Sequence, residues 1–193
     1  MSKKIRLLIV FFVILLIAVT FSSCNFPTKQ SALDSIFPSK TELPEGWSFK
    51  QEDVYEISPF DNHSEGKMVT YGIGWDPTIE EEIRNPNIKA DIIVADLTVD
   101  KFSDSDTAKV AYDKIVSPLQ WMANFSSVNN PYSEIKISIP NCYAFGMVSD
   151  EGQESVNSHC LKDDLVIHVN VFNSNNFGDP EESLKQFTGL LMR

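Results

Sequence analysis

Apolar and polar residues alternate along several stretches of the chain, with the period of a half-buried β-strand. The clearest stretch runs from Ala90 to Phe102. One of its faces comprises Ile93, Ala95, Leu97 and Val99, and the other comprises Asp96, Thr98 and Asp100. Earlier, Trp47 and Phe49 share one face of a shorter stretch, and Val69, Tyr71, Ile73 and Trp75 share one face of Met68–Trp75. These patterns predict three strands.

Four further strands are predicted in close succession beyond a polar loop at residues 126–131. They span Glu134–Ile139, Cys142–Val148, Ser155–Leu161 and Leu165–Phe172. Because the connections between them are short, neighbouring strands are expected to run antiparallel. This part of the chain is therefore predicted to form an antiparallel meander.

Two helices are predicted from apolar residues that recur at three- and four-residue steps. The first follows Ser103–Asp106, which supplies an N-cap and early acidic residues, and its stripe comprises Ala108, Ala111, Ile115, Leu119 and Met122. Pro118 is expected to kink or end this helix near Val116. The second helix follows Asp179 as N-cap, with Pro180 at its first position and Glu182 at its third. Its stripe comprises Leu184, Phe187 and Leu191.

The resulting order is strand, strand, strand, helix, four strands, helix. It predicts an α+β fold, a mainly antiparallel sheet of six to seven strands with two main helices packed on it. This order, with the entry sequence Leu43-Pro44-Glu45-Gly46-Trp47, resembles the PsbP-like and LpqN-like secreted α/β/α domains. The resemblance covers Leu43 to Arg193 at the level of element order, and it implies no functional residue.

The first residues follow the order of a secretory signal peptide. Lys3, Lys4 and Arg6 precede Leu7–Phe21, in which Thr20 is the only polar residue. The next residues complete Phe21-Ser22-Ser23-Cys24, which resembles the lipobox of bacterial lipoprotein precursors. The resemblance implies cleavage before Cys24 and acylation of its thiol, including palmitate. The alternative is an uncleaved anchor, because Leu7–Ser23 only just reaches the ~17 residues of a minimal spanning helix.

The sequence thus divides into a lipoprotein signal peptide (1–23), a spacer (24–42) and a single α+β domain (43–193). The spacer carries Pro27, Pro38 and little regular periodicity, which suits a flexible link. Cleavage would remove three of the sixteen basic residues and none of the twenty-seven acidic ones, leaving a formal charge of −14. Such a surface repels phosphate backbones, so nucleic acid is not an expected partner.

Cys142 and Cys160 remain once Cys24 is assigned to the lipid. In an oxidising compartment, an even pair of cysteines favours a disulfide over a metal or catalytic role. If the strands pair about Glu151, the two cysteines lie directly opposite each other. The alternative is a pair of buried free thiols.

A tight hairpin at Asp163-Asp164 would set His159 opposite His168, and Asn157 opposite Asn170. The register of the cysteines would place Tyr143 beside His159. Two imidazoles on adjacent strands suit a transition metal or a pH-sensitive pair, although a structural polar cluster on the less buried sheet face is the simpler interpretation. The same face would carry Tyr143, Phe145 and Met147, so either a helix covers part of it or the register is shifted by one residue.

Familiar catalytic patterns are absent from the sequence, and no cofactor is predicted. There is no Gly-x-Ser-x-Gly elbow and no glycine cluster, and His63, His159 and His168 lack the one-turn spacing of zinc proteases. A loop is predicted at residues 58–67, and its acidic and polar residues lack the order of an EF-hand. The aromatic residues Trp47, Phe49, Trp75, Trp121 and Phe125 are predicted to lie in the core. Alternatively, an exposed subset of them lines a ligand groove.

The sequence therefore favours a non-catalytic cell-envelope lipoprotein, held outside the cytoplasm by its lipid. Its domain would bind an envelope protein or a small ligand at the membrane surface, or serve as an accessory subunit. The alternative is a secreted, membrane-anchored enzyme that uses dispersed carboxylates or the histidines. A concave site that gathers carboxylates or the histidine pair would favour the enzyme.

Overall fold

A computed structural model describes residues 31–55, 62–74, 92–124, 132–148, 154–173 and 178–193. The chain divides into two compact units, residues 1–34 and 35–193. The predicted leader with Cys24, and also Trp75 and Phe125, lie outside the described residues. Within the described residues, no helix combines the length and apolar character that a membrane span requires.

The described residues of the second unit form seven strands and two helices. In chain order they are β1 (Ser48–Tyr55), β2 (His63–Ile73), β3 (Ile93–Phe102), α1 (Ser105–Ala123), β4 (Tyr132–Ile135), β5 (Cys142–Val148), β6 (Glu154–Lys162), β7 (Leu165–Asn173) and α2 (Pro180–Leu191). The strands form one sheet in the order β1-β2-β3-β7-β6-β5-β4, and all neighbouring pairs are antiparallel. The predicted α+β fold and its element order are confirmed.

One face of the sheet packs against α2. The ring centroid of Phe187 lies 5.6 Å from that of Tyr71 and 4.7 Å from that of Trp47. Tyr71 shares its line across the sheet with Ala95 and Val171, and side chains on one line point to the same side. The largest fully buried residues of this side include Leu97, Val99, Ile167, Val169, Leu184 and Leu191. This side, the α2 face, carries a main core of the domain.

The opposite side, the α1 face, packs against the first helix. Phe102 and Val166 cluster with alanines of α1, while Tyr143 and Phe145 cluster with Val116. Val166 and Val171 are an odd number of residues apart, so strand alternation places them on opposite sides. The helix therefore covers Tyr143 and Phe145, and their register is the predicted one. Of the two alternatives that the sequence left open, a covering helix is therefore the correct one, and the register is not shifted.

Both predicted helix starts are confirmed. The Asp104 carboxylate accepts a hydrogen bond from the backbone N–H of Thr107, and the Asp179 carboxylate accepts one from that of Glu182. Pro118 was predicted to kink or end the first helix near Val116, and the second alternative is wrong, because α1 continues to Ala123. Pro118 lies on the exposed side of the helix, where water can hydrate the carbonyl that its missing N–H leaves free.

Two strand boundaries also differ from prediction. The predicted loop at 58–67 is wrong beyond Asn62, because β2 begins at His63 and is paired on both sides by β1 and β3. The predicted strand Glu134–Ile139 is displaced to Tyr132–Ile135. The register that pairs Ile135 with Ala144 leaves only residues 136–141 for the turn into β5, so Ile137 and Ile139 cannot continue the strand.

The aromatic residues divide between core and surface. Trp47 packs against Phe187, but Phe49 is 53% exposed and Trp121 is 65% exposed. The prediction that both lie in the core is wrong. Phe49 lies on the edge strand β1, which has a strand on one side only, and Trp121 occupies the last turn of α1.

Cys142 and Cys160 form the predicted disulfide. They are directly opposite partners in the pairing of β5 with β6. The bridge therefore joins the two strands at the end of the hairpin that is distant from its turn.

Candidate functional site

A line of polar side chains crosses the four central strands on the α1 face. We call it the polar row, and it comprises Thr70, Asp96, Asn170, Ser155, Asn157 and His168. Thr70 lies opposite Asp96, Asp96 opposite Asn170, and Asn170 opposite Asn157. In β3 and β7, Ala95, Leu97, Val169 and Val171 lie on the α2 face, and alternation therefore places Asp96 and Asn170 on the other side.

The side chains of the polar row are hydrogen bonded in sequence. His168 Nε2 donates to Asn157 Oδ1 over 3.3 Å, and Asn157 Nδ2 donates to Ser155 Oγ over 3.1 Å. Ser155 Oγ donates to Asn170 Oδ1 over 3.0 Å. The row ends at Asp96, whose carboxyl is bonded by Asn170 and by Thr70 Oγ1 at 2.7 Å. Every donor therefore points towards the Asp96 carboxyl, an arrangement in which successive hydrogen bonds strengthen one another.

Asp96 is the acidic end of the polar row. Burial raises the pKa of its carboxyl, and the hydrogen bonds from Thr70 and Asn170 oppose that rise without cancelling it. A half-buried carboxyl of this kind accepts a proton more readily than a solvated aspartate does. The alternation of residues in β3 predicts that Asp96 lies on the polar side of its strand, but it does not predict that Asn170 lies beside it.

The predicted apposition of His159 and His168 is confirmed. The two imidazole rings are stacked, with centroids 4.4 Å apart and planes inclined by 14°. Phe145 stacks on the other side of His159, with ring centroids 6.0 Å apart. Burial, with a smaller effect from His168, lowers the pKa of His159 to about 3. Burial also lowers the pKa of His168 to about 4, so both rings are neutral at neutral pH.

This stacking does not fit a metal site. Ring nitrogens bind a metal in the plane of the ring, and two nearly parallel stacked rings do not direct their lone pairs to one point. Among the described residues, no three histidine, cysteine or acidic side chains are placed to hold a metal ion. The geometry of His159 and His168 is that of a neutral structural pair.

Two buried polar atoms beside the polar row have no hydrogen-bond partner among the residues that the structure describes. They are His159 Nδ1 and Tyr143 Oη, and the residues are 7% and 8% exposed. Tyr143 lies directly opposite His159, as the sequence predicted. Buried polar atoms without a partner are rare in folded proteins and need an explanation at each occurrence.

A second polar cluster lies on the same face, and it was not predicted from the sequence. Asp100 Oδ1 accepts hydrogen bonds from Tyr55 Oη at 2.9 Å and from His63 Nε2 at 2.8 Å. The Tyr55 ring reaches Asp100 across Gly66, where an added Cβ would lie 2.2 Å from a Tyr55 ring atom. Burial, followed by the charge of Asp100, raises the pKa of Tyr55. Three different strands supply this cluster, so no local sequence signal indicates it.

A groove of about 380 Å³ lies at the β1 edge of the α2 face. It is lined by Pro38, Lys40, Leu43, Ser48, Phe49 and Tyr71. The Tyr71 hydroxyl donates to the carbonyl of Pro38 over 3.0 Å. The alternative prediction was that an exposed subset of the aromatic residues lines a groove. Phe49 is exposed and lines this groove.

Comparison with known proteins found a similarity of fold that is informative here. The structure is similar to the extracellular domain of PknH from Mycobacterium tuberculosis, with a TM-score of 0.57 and 9% sequence identity over 81% of this chain and 91% of that one. No protein family and no curated protein matches the chain. At this identity the likeness extends to the fold alone.

Proposed function

We propose that the chain is a lipid-anchored domain of the cell envelope that binds a ligand or partner without catalysing a reaction. The observation that carries the binding function is the polar row, a fixed line of donors and acceptors across four strands. Side chains held by one another keep their positions before a ligand arrives, which reduces the entropy lost on binding.

Three observations support a place outside the cytoplasm. Phe21-Ser22-Ser23-Cys24 resembles a lipobox. The Cys142–Cys160 disulfide is of the kind that persists in oxidising compartments. The domain of similar fold is named as an extracellular domain. Together they favour a protein that faces the exterior and is attached through Cys24.

The anchor is tested by the change Cys24→Ser. Wild-type protein is expected to sediment with membranes, to need detergent for release, and to carry the mass of a diacylglyceride on a chain that begins at Cys24. The variant is expected to lack that mass and to accumulate as uncleaved precursor. Cys142→Ser is the matched control, since it removes a cysteine outside the leader. A mature, membrane-bound Cys24→Ser protein would show that the leader is an ordinary membrane stem.

The binding surface is tested by a fragment screen that follows backbone amide signals by NMR. Fragments are expected to shift the amide signals of Asp96, Asn157 and Asn170. The change Thr70→Val removes one hydrogen-bond donor to Asp96 and is expected to weaken the binding of these fragments about tenfold. Val110→Ala, an exposed change on α1, is the control that leaves affinity unchanged. A library whose hits all fall elsewhere on the domain would contradict the proposed surface.

One observation favours the enzyme alternative, namely the raised pKa of Asp96. Carboxyl groups with raised pKa values serve as general acids in enzymes. The histidines next to the row do not complete such a site, because imidazoles with pKa values of about 3 and about 4 are weak bases. Binding is therefore the function that we propose first.

A further inference from the structure

We propose that the polar row takes an uncharged, hydroxyl-rich ligand of the carbohydrate class. This inference rests on the proposed binding function and names its ligand chemistry. Three features favour such a ligand: the hydrogen-bonding groups that the row does not use internally, the charges around it, and the aromatic ring beside it.

The row has hydrogen-bonding capacity beyond its internal bonds. Asn157 and Asn170 each use one amide N–H within the row, and an amide has a second one. Asp96 and Ser155 have further acceptor lone pairs. Donors and acceptors thus alternate across the three strands β3, β7 and β6, over about 10 Å at the usual strand spacing. A hydroxyl group both donates and accepts, so a molecule with several hydroxyls matches such a row without a charge.

The charges around the row argue against an anionic ligand. The lysines of the central strands, Lys67, Lys101 and Lys162, occupy lines that belong to the α2 face. Asp96 is the acidic group of the row, and the whole chain carries a formal charge of −11. A phosphate or carboxylate would meet repulsion there and no cation within the row, whereas a neutral molecule pays no such cost.

Phe172 supplies an aromatic surface next to the polar row. It is the partner of Ser155 in the pairing of β6 with β7, one position along the same face from Asn170. Phe172, Asp96, Ser155 and Asn170 are each partly exposed, so a ligand can contact all of them. Small-molecule sites combine apolar or aromatic surface with a few fixed polar groups, and the C–H side of a sugar ring packs on an aromatic face.

The test is a titration of the domain with three probes, followed by amide NMR and calorimetry. Cellobiose represents the neutral class, glucuronate the anionic class and glucosamine the cationic class. Cellobiose, or the neutral disaccharides maltose and N,N′-diacetylchitobiose tried beside it, is expected to shift amides of the polar row. Glucuronate and glucosamine are expected to bind at least about tenfold more weakly. Tighter binding of either charged sugar would overturn the proposal.

Variants assign the binding to the row. Asn170→Ala and Phe172→Leu are each expected to weaken binding of the neutral sugar about tenfold. Phe49→Leu, which changes an exposed aromatic residue of the α2 face, is the matched control and leaves affinity unchanged. Because Asn170→Ala disturbs a hydrogen-bonded row, Phe172→Leu keeps the test valid if the first variant does not fold. Unchanged affinity in Phe172→Leu would overturn the assignment.

The results distinguish a failure of the proposed ligand class from a failure of the proposed binding function. If fragments shift the polar row and no neutral disaccharide does so at millimolar concentration, the ligand class is wrong and the binding surface stands. If neither fragments nor sugars shift the row, both proposals fall.

Discussion

Acidification from about pH 7 to about pH 4.5 is expected to lower the free energy of unfolding through His159 and His168. In the fold their pKa values are about 3 and about 4, against an ordinary value of 6.5. Below pH 6.5 the unfolded chain therefore binds protons that the folded protein excludes, and the equilibrium shifts towards unfolding. Each histidine removes about 1.4 kcal/mol per pH unit in this window. The loss ends near pH 4 for His168 and near pH 3 for His159.

The change His159→Phe isolates this effect. Phenylalanine keeps a ring between Phe145 and His168 but binds no proton, so the variant should lose about 1.4 kcal/mol less per pH unit. Urea unfolding at a series of pH values measures both slopes. The difference between variant and wild type removes the contribution of Asp96, whose raised pKa acts in the opposite direction and stabilises the fold on acidification.

Phe145→Leu is the matched control, since it disturbs the same stack of rings without removing a titrating group. It is expected to lower stability by a similar amount at every pH, because it removes packing against Val116 and His159. Parallel pH profiles for wild type and His159→Phe would show that His159 is not held neutral by the fold.

The sequence predicted those contacts that depend on short connections. The pairs β5–β6 and β6–β7 are each formed by strands that are consecutive in the chain, and the midpoint assumed for each short connection decides which residues lie opposite. Cys142 with Cys160, and His159 with His168, follow from that rule. Both pairs were obtained from numbers along the chain alone.

The remaining part of the site depends on pairing between distant segments. Asp96 on β3 meets Asn170 on β7, with α1 and three strands between them along the chain. Alternation assigned Asp96 to the polar side, but no turn specifies its partner across such a distance. The same limit applies to the contact of Tyr55 and His63 with Asp100.

The prediction from residue type placed Phe49 and Trp121 in the core, and for both it was wrong. Large aromatic residues are usually buried, but burial requires a second layer to pack against. Phe49 lies at the sheet edge and Trp121 at the end of a helix. Their exposure follows from position in the fold, which a hydrophobic pattern does not encode.

Removal of the Cys142–Cys160 bridge by Cys142→Ala with Cys160→Ala is expected to lower the free energy of unfolding by about 3 kcal/mol. The bridge closes a loop across a sequence separation of 18 residues, and on the chain-entropy model a loop of this length stabilises by about that amount. Cys160 is fully buried, so its truncation adds a small packing loss. Urea unfolding under oxidising conditions measures the difference.

Two further measurements show whether the loss of stability comes from the loss of the cross-link. They are the slope of the unfolding free energy against urea concentration and the effect of a reductant. Without the cross-link the unfolded chain expands, so the slope of stability against urea should rise in the double variant. Prior reduction of unfolded wild type should bring its stability close to that of the variant, while reductant should leave the variant unchanged. Cys160 is buried and Cys142 is partly exposed, so a thiol reagent is expected to attack the folded protein slowly and at the Cys142 sulfur. Equal unfolding curves for oxidised wild type and the double variant would mean that the seven paired positions of β5 and β6 hold this hairpin without the bridge.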